Sequence, residues 1–175
     1  MSRASDLQPK LHVMYVAIAM TAPRWLVLTW RLPAASSTPR VATWRSLQRL
    51  GAVTLTPGAA ILPYSEPLLE QLEWIAEDIA ERGGDAFVLP VTELSEAEET
   101  DIQRRMREER KQEYEQLREA AEVLSRRPAQ RPQLERELSA LQRGLARAIE
   151  RDYFASSGRS RAEKAIRLAR KRKEA

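Results

Sequence analysis

The stretch that decides the fold runs from Trp25 to Val91: WLVLTWRLPAASSTPRVATWRSLQRLGAVTLTPGAAILPYSEPLLEQLEWIAEDIAERGGDAFVLPV. Trp25 to Leu32 is mostly apolar, β-branched or aromatic, the composition of a buried strand. Ser37-Thr38-Pro39 opens a helix with a hydroxyl cap and a proline in the first turn. Val41, Trp44, Leu47 and Leu50 recur every three residues and read as its buried face, and Gly51 ends it. Val53 to Leu55 and Ala60 to Leu62 are short strands joined through the turn pair Pro57-Gly58. Ser65 and Pro67 open a second helix with the core stripe Leu68, Leu72, Ile75 and Ile79, which Gly83-Gly84 closes. Ala86 to Val91 is a last strand. Trp44 and Trp74 are expected in or beside the core rather than stacked on bases.

The order strand, helix, strand, strand, helix, strand is the split-βαβ, ferredoxin-like arrangement, one antiparallel sheet with both helices on one face. The fold class is therefore α+β. The organisation expected is an N-terminal extension (1–24), the ferredoxin-like βαββαβ domain (25–92), an α-helical hairpin (93–155) and a basic C-terminal helix (156–175). A unit of this size buries only a modest core.

Composition narrows the chemistry. The 175-residue chain has no cysteine, which excludes disulfides, thiol catalysis and thiolate-held iron–sulfur clusters. Its one histidine, His12, cannot make a multi-histidine zinc site or a histidine-based triad within one chain. No cofactor is expected. The formal net charge of +4 is unevenly spread: residues 1–95 carry 8 basic and 9 acidic side chains, residues 96–175 carry 21 and 16. From Arg159 onward there are 8 basic against 2 acidic residues. Such an end reads either as a seat for a polyanion, most simply nucleic acid, or as a solvated, partly frayed tail.

Ahead of the first strand, Leu11 to Met20 is too short an apolar run to span a bilayer as a helix. It faintly resembles a signal peptide, but the simpler expectation is that translation begins at Met20 or Met14. Within the first helix, Arg45 and Arg49 lie four apart, and Arg31 leaves the preceding strand nearby. They read as phosphate contacts or as a solvated face balanced by glutamates of the second helix.

Beyond Leu94, Ser95 and Glu98 form a capping box. The helix that follows, to about Leu124, has a thin apolar stripe: Ile102, Met106, Tyr114, Leu117, Ala121 and Leu124, broken by Arg110. Arg126 to Pro132 is a break. Leu134, Leu138, Leu141, Leu145, Ala148 and Asp152 then keep a coiled-coil-like spacing. The two helices are expected to form an antiparallel hairpin that packs on the open face of the sheet or on a second chain. Ser160 caps a last helix whose apolar residues are Ala162, Ala165, Ile166 and Ala169.

Three segments together resemble a known family. They are Trp25 to Pro63 (with Pro39-Arg40-Val41, Trp44-Arg45, Leu50-Gly51-Ala52 and Ile61-Leu62-Pro63), Arg110 to Leu117 (RKQEYEQL), and Asp152-Tyr153-Phe154 through Gly158-Arg159 to Ala162. In this order and spacing they resemble the N-terminal domain of the ChrB family of chromate-resistance proteins. The resemblance implies a bacterial cytoplasmic protein that regulates transcription of a chromate efflux operon. Full-length members carry a second, C-terminal domain, and Gly58-Ala59-Ala60 is smaller than the family turn. The first domain is also similar to that of phenylacetate-pathway repressors and CRISPR adaptation nucleases. The metal-binding aspartate of those nucleases is missing, since Trp30-Arg31-Leu32 occupies its place, so a nuclease is not expected.

Two functions follow. The first is a regulator that binds DNA through Arg45, Arg49, Arg159, Arg161, Lys164, Arg167, Arg170, Lys171, Arg172 and Lys173. The second is a non-enzymatic interaction module that forms a homodimer or docks a separately encoded ChrB C-terminal domain. No membrane association is expected. An enzyme ranks last, because no nucleophile–base pair or phosphate-binding glycine loop is legible. Arg31, Arg40 and Arg45 are the one candidate cluster for an anion such as chromate.

Overall fold

The computed structural model describes residues 22–33, 37–127 and 131–174. The expectations for residues 1–21, for the centre of the proline-bearing loop at 128–130 and for the Lys173 side chain lie outside the described residues. In chain order the elements are β1 (Trp25–Arg31), α1 (Ser37–Leu50), β2 (Val53–Thr56), β3 (Ala59–Pro63), α2 (Glu66–Glu81), β4 (Asp85–Val91), α3 (Glu96–Arg126), α4 (Arg131–Glu150) and α5 (Arg159–Glu174). The strands form one antiparallel sheet in the order β2-β3-β1-β4. This is the ferredoxin-like order, with β1 and β3 central.

Strand alternation sorts the core into two layers. Leu26 and Leu28 of β1, with Ala60 and Leu62 of β3, face α1 and α2 and pack with Leu47, Leu68, Leu72 and Ile79. Trp25 of β1, Val53 of β2 and Ile61 of β3 face the other way and meet Ile102 and Met106 of α3. The first turns of α3 therefore cover the face that α1 and α2 leave open. Gly58 is required in the β2–β3 turn. Its φ is +94° and a Cβ there would sit 2.5 Å from the Trp30 carbonyl oxygen, while its own carbonyl accepts from Trp30 N–H at 2.7 Å.

The buried face of α1 differs from the expected one. Val41 and Trp44 are 41% and 48% exposed, whereas Thr43 and Leu47 are buried. Steps of three residues fall about 60° short of a full turn, so the three steps from Val41 to Leu50 sweep about half the helix circumference. Only Leu47 and Leu50 of that series face inward, and Thr43 completes the line at i−4 and i−7. Trp74 is likewise 59% exposed, between Glu73 and Glu77 on the side of α2 opposite Leu72 and Ile79. Neither tryptophan belongs to the core.

The helices after β4 pack on one another. Ser95 and Glu98 make the reciprocal capping box that starts α3, with Glu98 N–H donating to Ser95 Oγ at 3.3 Å and Ser95 N–H to Glu98 Oε2 at 3.1 Å. Arg110 does not interrupt the α3 stripe. It is itself 8% exposed and pairs with Glu113. Of the expected hairpin, the start of α3 does take the open face of the sheet, whereas the α4 seam packs on other helices of the same chain and is not held free for a second copy. Leu134, Leu138, Leu141 and Leu145 meet Ala121 and Leu124 of α3 and Ala165, Ile166 and Ala169 of α5. Asp152 lies beyond the end of α4. The C-terminal helix is thus docked through its alanine stripe rather than a frayed tail, and small residues let it approach α3 closely.

Candidate nucleic-acid interface

Docking decides which cations of α5 share a surface. Its buried residues Ala162, Ala165, Ile166 and Ala169 take one side of the helix. Arg161, Lys164, Leu168, Lys171 and Arg172 recur at intervals of three and four and line a groove against α3. The groove encloses about 820 Å³, and its α3 wall includes Glu115, Arg118, Glu122 and Arg126. Six cations thus line it against two glutamates.

The two glutamates are already engaged. Arg118 Nη2 donates to Glu115 at 2.5 Å and Arg118 Nη1 to Glu122 at 2.5 Å. The hydrogen bond from Arg118 holds the Glu115 carboxyl below the usual range, and the Glu115 and Glu122 carboxylates raise the Arg118 guanidinium above its ordinary value. Arg126, Lys164 and Lys171 make no ion pair among the described residues, and Arg172 donates to the Ser125 carbonyl at the groove's far end. The floor is apolar at Leu168, which is 53% exposed. The arrangement offers a row of cations along about 16 Å of rigid helix.

The other expected contacts fall elsewhere. Arg159, Arg167 and Arg170 occupy a second side of α5, and Arg159 pairs with Glu163 at 2.8 Å, which raises its guanidinium. Arg45 and Arg49 are exposed on α1, with Arg49 donating to Ser46 Oγ at 2.8 Å. The structure does not assemble Arg31, Arg40 and Arg45. Arg31 has the same parity as Trp25 and Val27, so it lies on the α3 side of the sheet, paired with Asp85 at 3.1 Å. Arg40 is on α1, across the sheet, and reaches the Pro33 carbonyl at 3.4 Å. Arg45 is five residues further on, about 140° around the helix from Arg40. Sequence reasoning missed Arg118 and Arg126 as groove residues. Their signal was present as Arg118-Glu122-Arg126 at i, i+4, i+8, but nothing local says that α5 packs beside that stripe.

The residues that carried the family resemblance in the second and third segments form a junction between the arm and the sheet domain. Tyr153 Oη donates to the Leu50 carbonyl at 2.6 Å and Arg151 Nη1 to the Gln48 carbonyl at 3.1 Å, tying the chain to the end of α1. Asp152 accepts from Tyr114 Oη at 3.0 Å and from Ser156 N–H and Oγ at 2.8 and 2.7 Å. Phe154 sits 5.9 Å from the Trp25 ring and beneath the Arg107 guanidinium at 5.7 Å. Burial raises the Tyr114 and Tyr153 phenols above their ordinary range, and it lowers the Arg151 guanidinium. Among the described residues no group of three or more His, Cys, Asp or Glu side chains is placed to hold a metal ion, and no helix is long and apolar enough to cross a membrane.

A ferredoxin-like α+β domain with a three-helix arm, joined through buried and half-buried tyrosines and arginines, defines the class. The family described as "Protein ChrB, N-terminal" matches residues 40–127, from the first turn of α1 through α3. The chain belongs to this family. Among curated proteins, Protein ChrB of Cupriavidus metallidurans is 32% identical over 143 residues, covering 79% of this chain and 43% of that protein. The chain therefore spans less than half the length of this relative. No solved structure matches it.

Proposed function

We propose that the chain is a ChrB-type chromate-resistance protein that acts in transcriptional regulation and contacts DNA through the arm. The observation that carries this is the α3–α5 groove, where six cations face two glutamates already engaged by Arg118. Arg161, Lys164, Lys171 and Arg126 supply phosphate contacts. Arg159, Arg167 and Arg170 extend the positive field along the same helix, and Arg45 and Arg49 add a separate, weaker one. Four phosphate contacts give a slope of log K against log salt of about −3.6 on duplex DNA. No catalysis is ascribed to the chain, and its setting is cytoplasmic.

Titration of labelled DNA spanning the upstream region, at two salt concentrations and with and without chromate, tests the reading. Sequence-preferring binding with that slope, released by chromate, is the expected result. Equal binding to any DNA, unmoved by chromate, counts against a regulator. A second reading treats the arm as a protein-docking surface. In that reading the chain is an interaction module that docks a separately encoded C-terminal ChrB domain, and such a domain added in trans alters DNA binding.

A further inference from the structure

The sequence offered the α4 seam for self-association, and the fold buries it within the chain. A different pair of surfaces remains. On α2, Leu68, Leu72 and Ile79 are buried against the sheet. The opposite side carries Glu70, Glu73, Glu77 and Glu81, all exposed, with Trp74 among them at 59% exposure. Glu70, Glu73 and Glu77 make no ion pair among the described residues. An indole this exposed, ringed by carboxylates, is a large apolar group with a charged collar.

The α3–α5 groove is the converse surface. It has an apolar floor at Leu168 and a cationic rim. The spacings match. Glu70, Glu73, Glu77 and Glu81 stand at i, i+3, i+7 and i+11, as do Arg161, Lys164, Leu168 and Arg172. Each series covers about 16 Å of helix. A helix cannot leave the sheet that buries its leucines, so the α2 of one chain does not reach its own groove.

We propose that the glutamate face of α2 in one copy seats in the α3–α5 groove of a second copy. In this register Glu70 and Glu73 meet Arg161 and Lys164, Trp74 and Glu77 lie over Leu168 and Lys171, and Glu81 meets Arg172. A wholly buried aromatic removes about 150–250 Å² from water; Trp74 is 59% exposed beforehand, so each contact adds only the lower part of that range. The charge pairs set register and orientation more than affinity. Two chains side by side and antiparallel make this contact twice about a twofold axis, which closes the assembly as a dimer. Occupancy by α2 withdraws Lys164 and Lys171 from any polyanion. The inference stands whether or not the groove also takes DNA.

The test uses sedimentation velocity on the full chain at low and high salt, with two charge-reversed variants. One carries Glu73→Lys and Glu77→Lys on α2. The other carries Lys164→Glu and Lys171→Glu in the groove. The parent forms a dimer at low salt that dissociates at high salt. Each variant alone associates about tenfold or more weakly, because like charges then oppose one another. An equimolar mixture of the two recovers the dimer, since lysines on α2 then meet glutamates in the groove; this recovery also shows both variants to be folded. A mixture that stays monomeric, or an α2 variant that associates as the parent does, overturns the proposal. Duplex DNA titrated in parallel separates the two readings. A monomer that binds DNA through Lys164 and Lys171 refutes the dimer and leaves the proposed function intact. A dimer with no DNA affinity supports the dimer and removes that function.

Discussion

Replacing Glu113 by glutamine tests the junction between the arm and the sheet domain. Glu113 accepts from Arg151 Nη2 at 2.5 Å and pairs with Arg110. The three side chains are 27%, 17% and 10% exposed, so the carboxylate neutralises two guanidinia in a partly dry site. Breaking a fully buried ion pair by removing one partner costs about 3–5 kcal/mol. Here the loss is smaller. Arg151 keeps its bonds to the Gln48 and Arg147 carbonyls, Glu109 still lies 3.7 Å from Arg110, and the glutamine oxygen still accepts one bond. We expect a destabilisation of about 2–3 kcal/mol, a fall in Tm of about 5–10 °C for a chain of this length. Arg110→Met costs less, because Glu113 then retains Arg151 and no cation is stranded. Urea denaturation followed by far-ultraviolet circular dichroism measures both. A Glu113→Gln variant within about 0.5 kcal/mol of the parent, or one milder than Arg110→Met, would refute the account of a shared half-buried carboxylate.

Among the described residues Thr43 Oγ1 is buried without a hydrogen-bond partner, so Thr43→Val is expected to raise stability by about 1 kcal/mol, read from the same denaturation curves. Gly58→Ala places a Cβ 2.5 Å from the Trp30 carbonyl at φ +94° and should cost about 2–3 kcal/mol; a neutral result there would mean that the turn is built otherwise. Ser95→Ala removes the hydroxyl that caps α3, a loss of about 1 kcal/mol near neutral pH. The hydrogen bond from Ser95 holds Glu98 below its ordinary 4.5, so the part of this contribution that the carboxylate carries is present above that pH and fades as pH falls through the folded value. The gap between parent and Ser95→Ala should therefore narrow in acid without closing, because the Glu98 N–H bond to the hydroxyl does not titrate, and a gap that widens there would contradict the assignment.

How far these features were legible depends on their range in sequence. The βαββαβ order was readable because apolar alternation, helical periodicity and the breakers Gly51, Gly58 and Gly83 agree within short windows. The phase of α1 was not, because residues every third position drift around the helix and fit two faces equally well. The parity of Arg31 with Trp25 and Val27 was available from strand geometry and separates it from Arg40. The burial of Arg110 was illegible, because Arg151, which shares Glu113 with it, is 41 residues away. The α4 seam announced that it packs but not on what. Half of the groove was visible as a run of cations, and the other half only after α5 was placed on α3.

Helix α3 contributes to the cores of both the sheet domain and the arm. Ile102 and Met106 belong to the sheet layer, and Ala121 and Leu124 to the arm. Between Ile102 and Arg126 lies about 36 Å of unbroken helix, so the groove is phased against the sheet as on a shaft. Inserting one residue near Gln112 turns everything beyond it by about 100° and pulls Tyr114 out of line with Asp152. Inserting seven leaves only about 20° of drift, though it lengthens the shaft by about 10 Å and so separates the two anchors that Arg151 and Tyr153 make with α1. The length of α3 is thus set by angle and by reach together, and relatives that share this architecture are expected to carry their insertions in loops rather than along this helix.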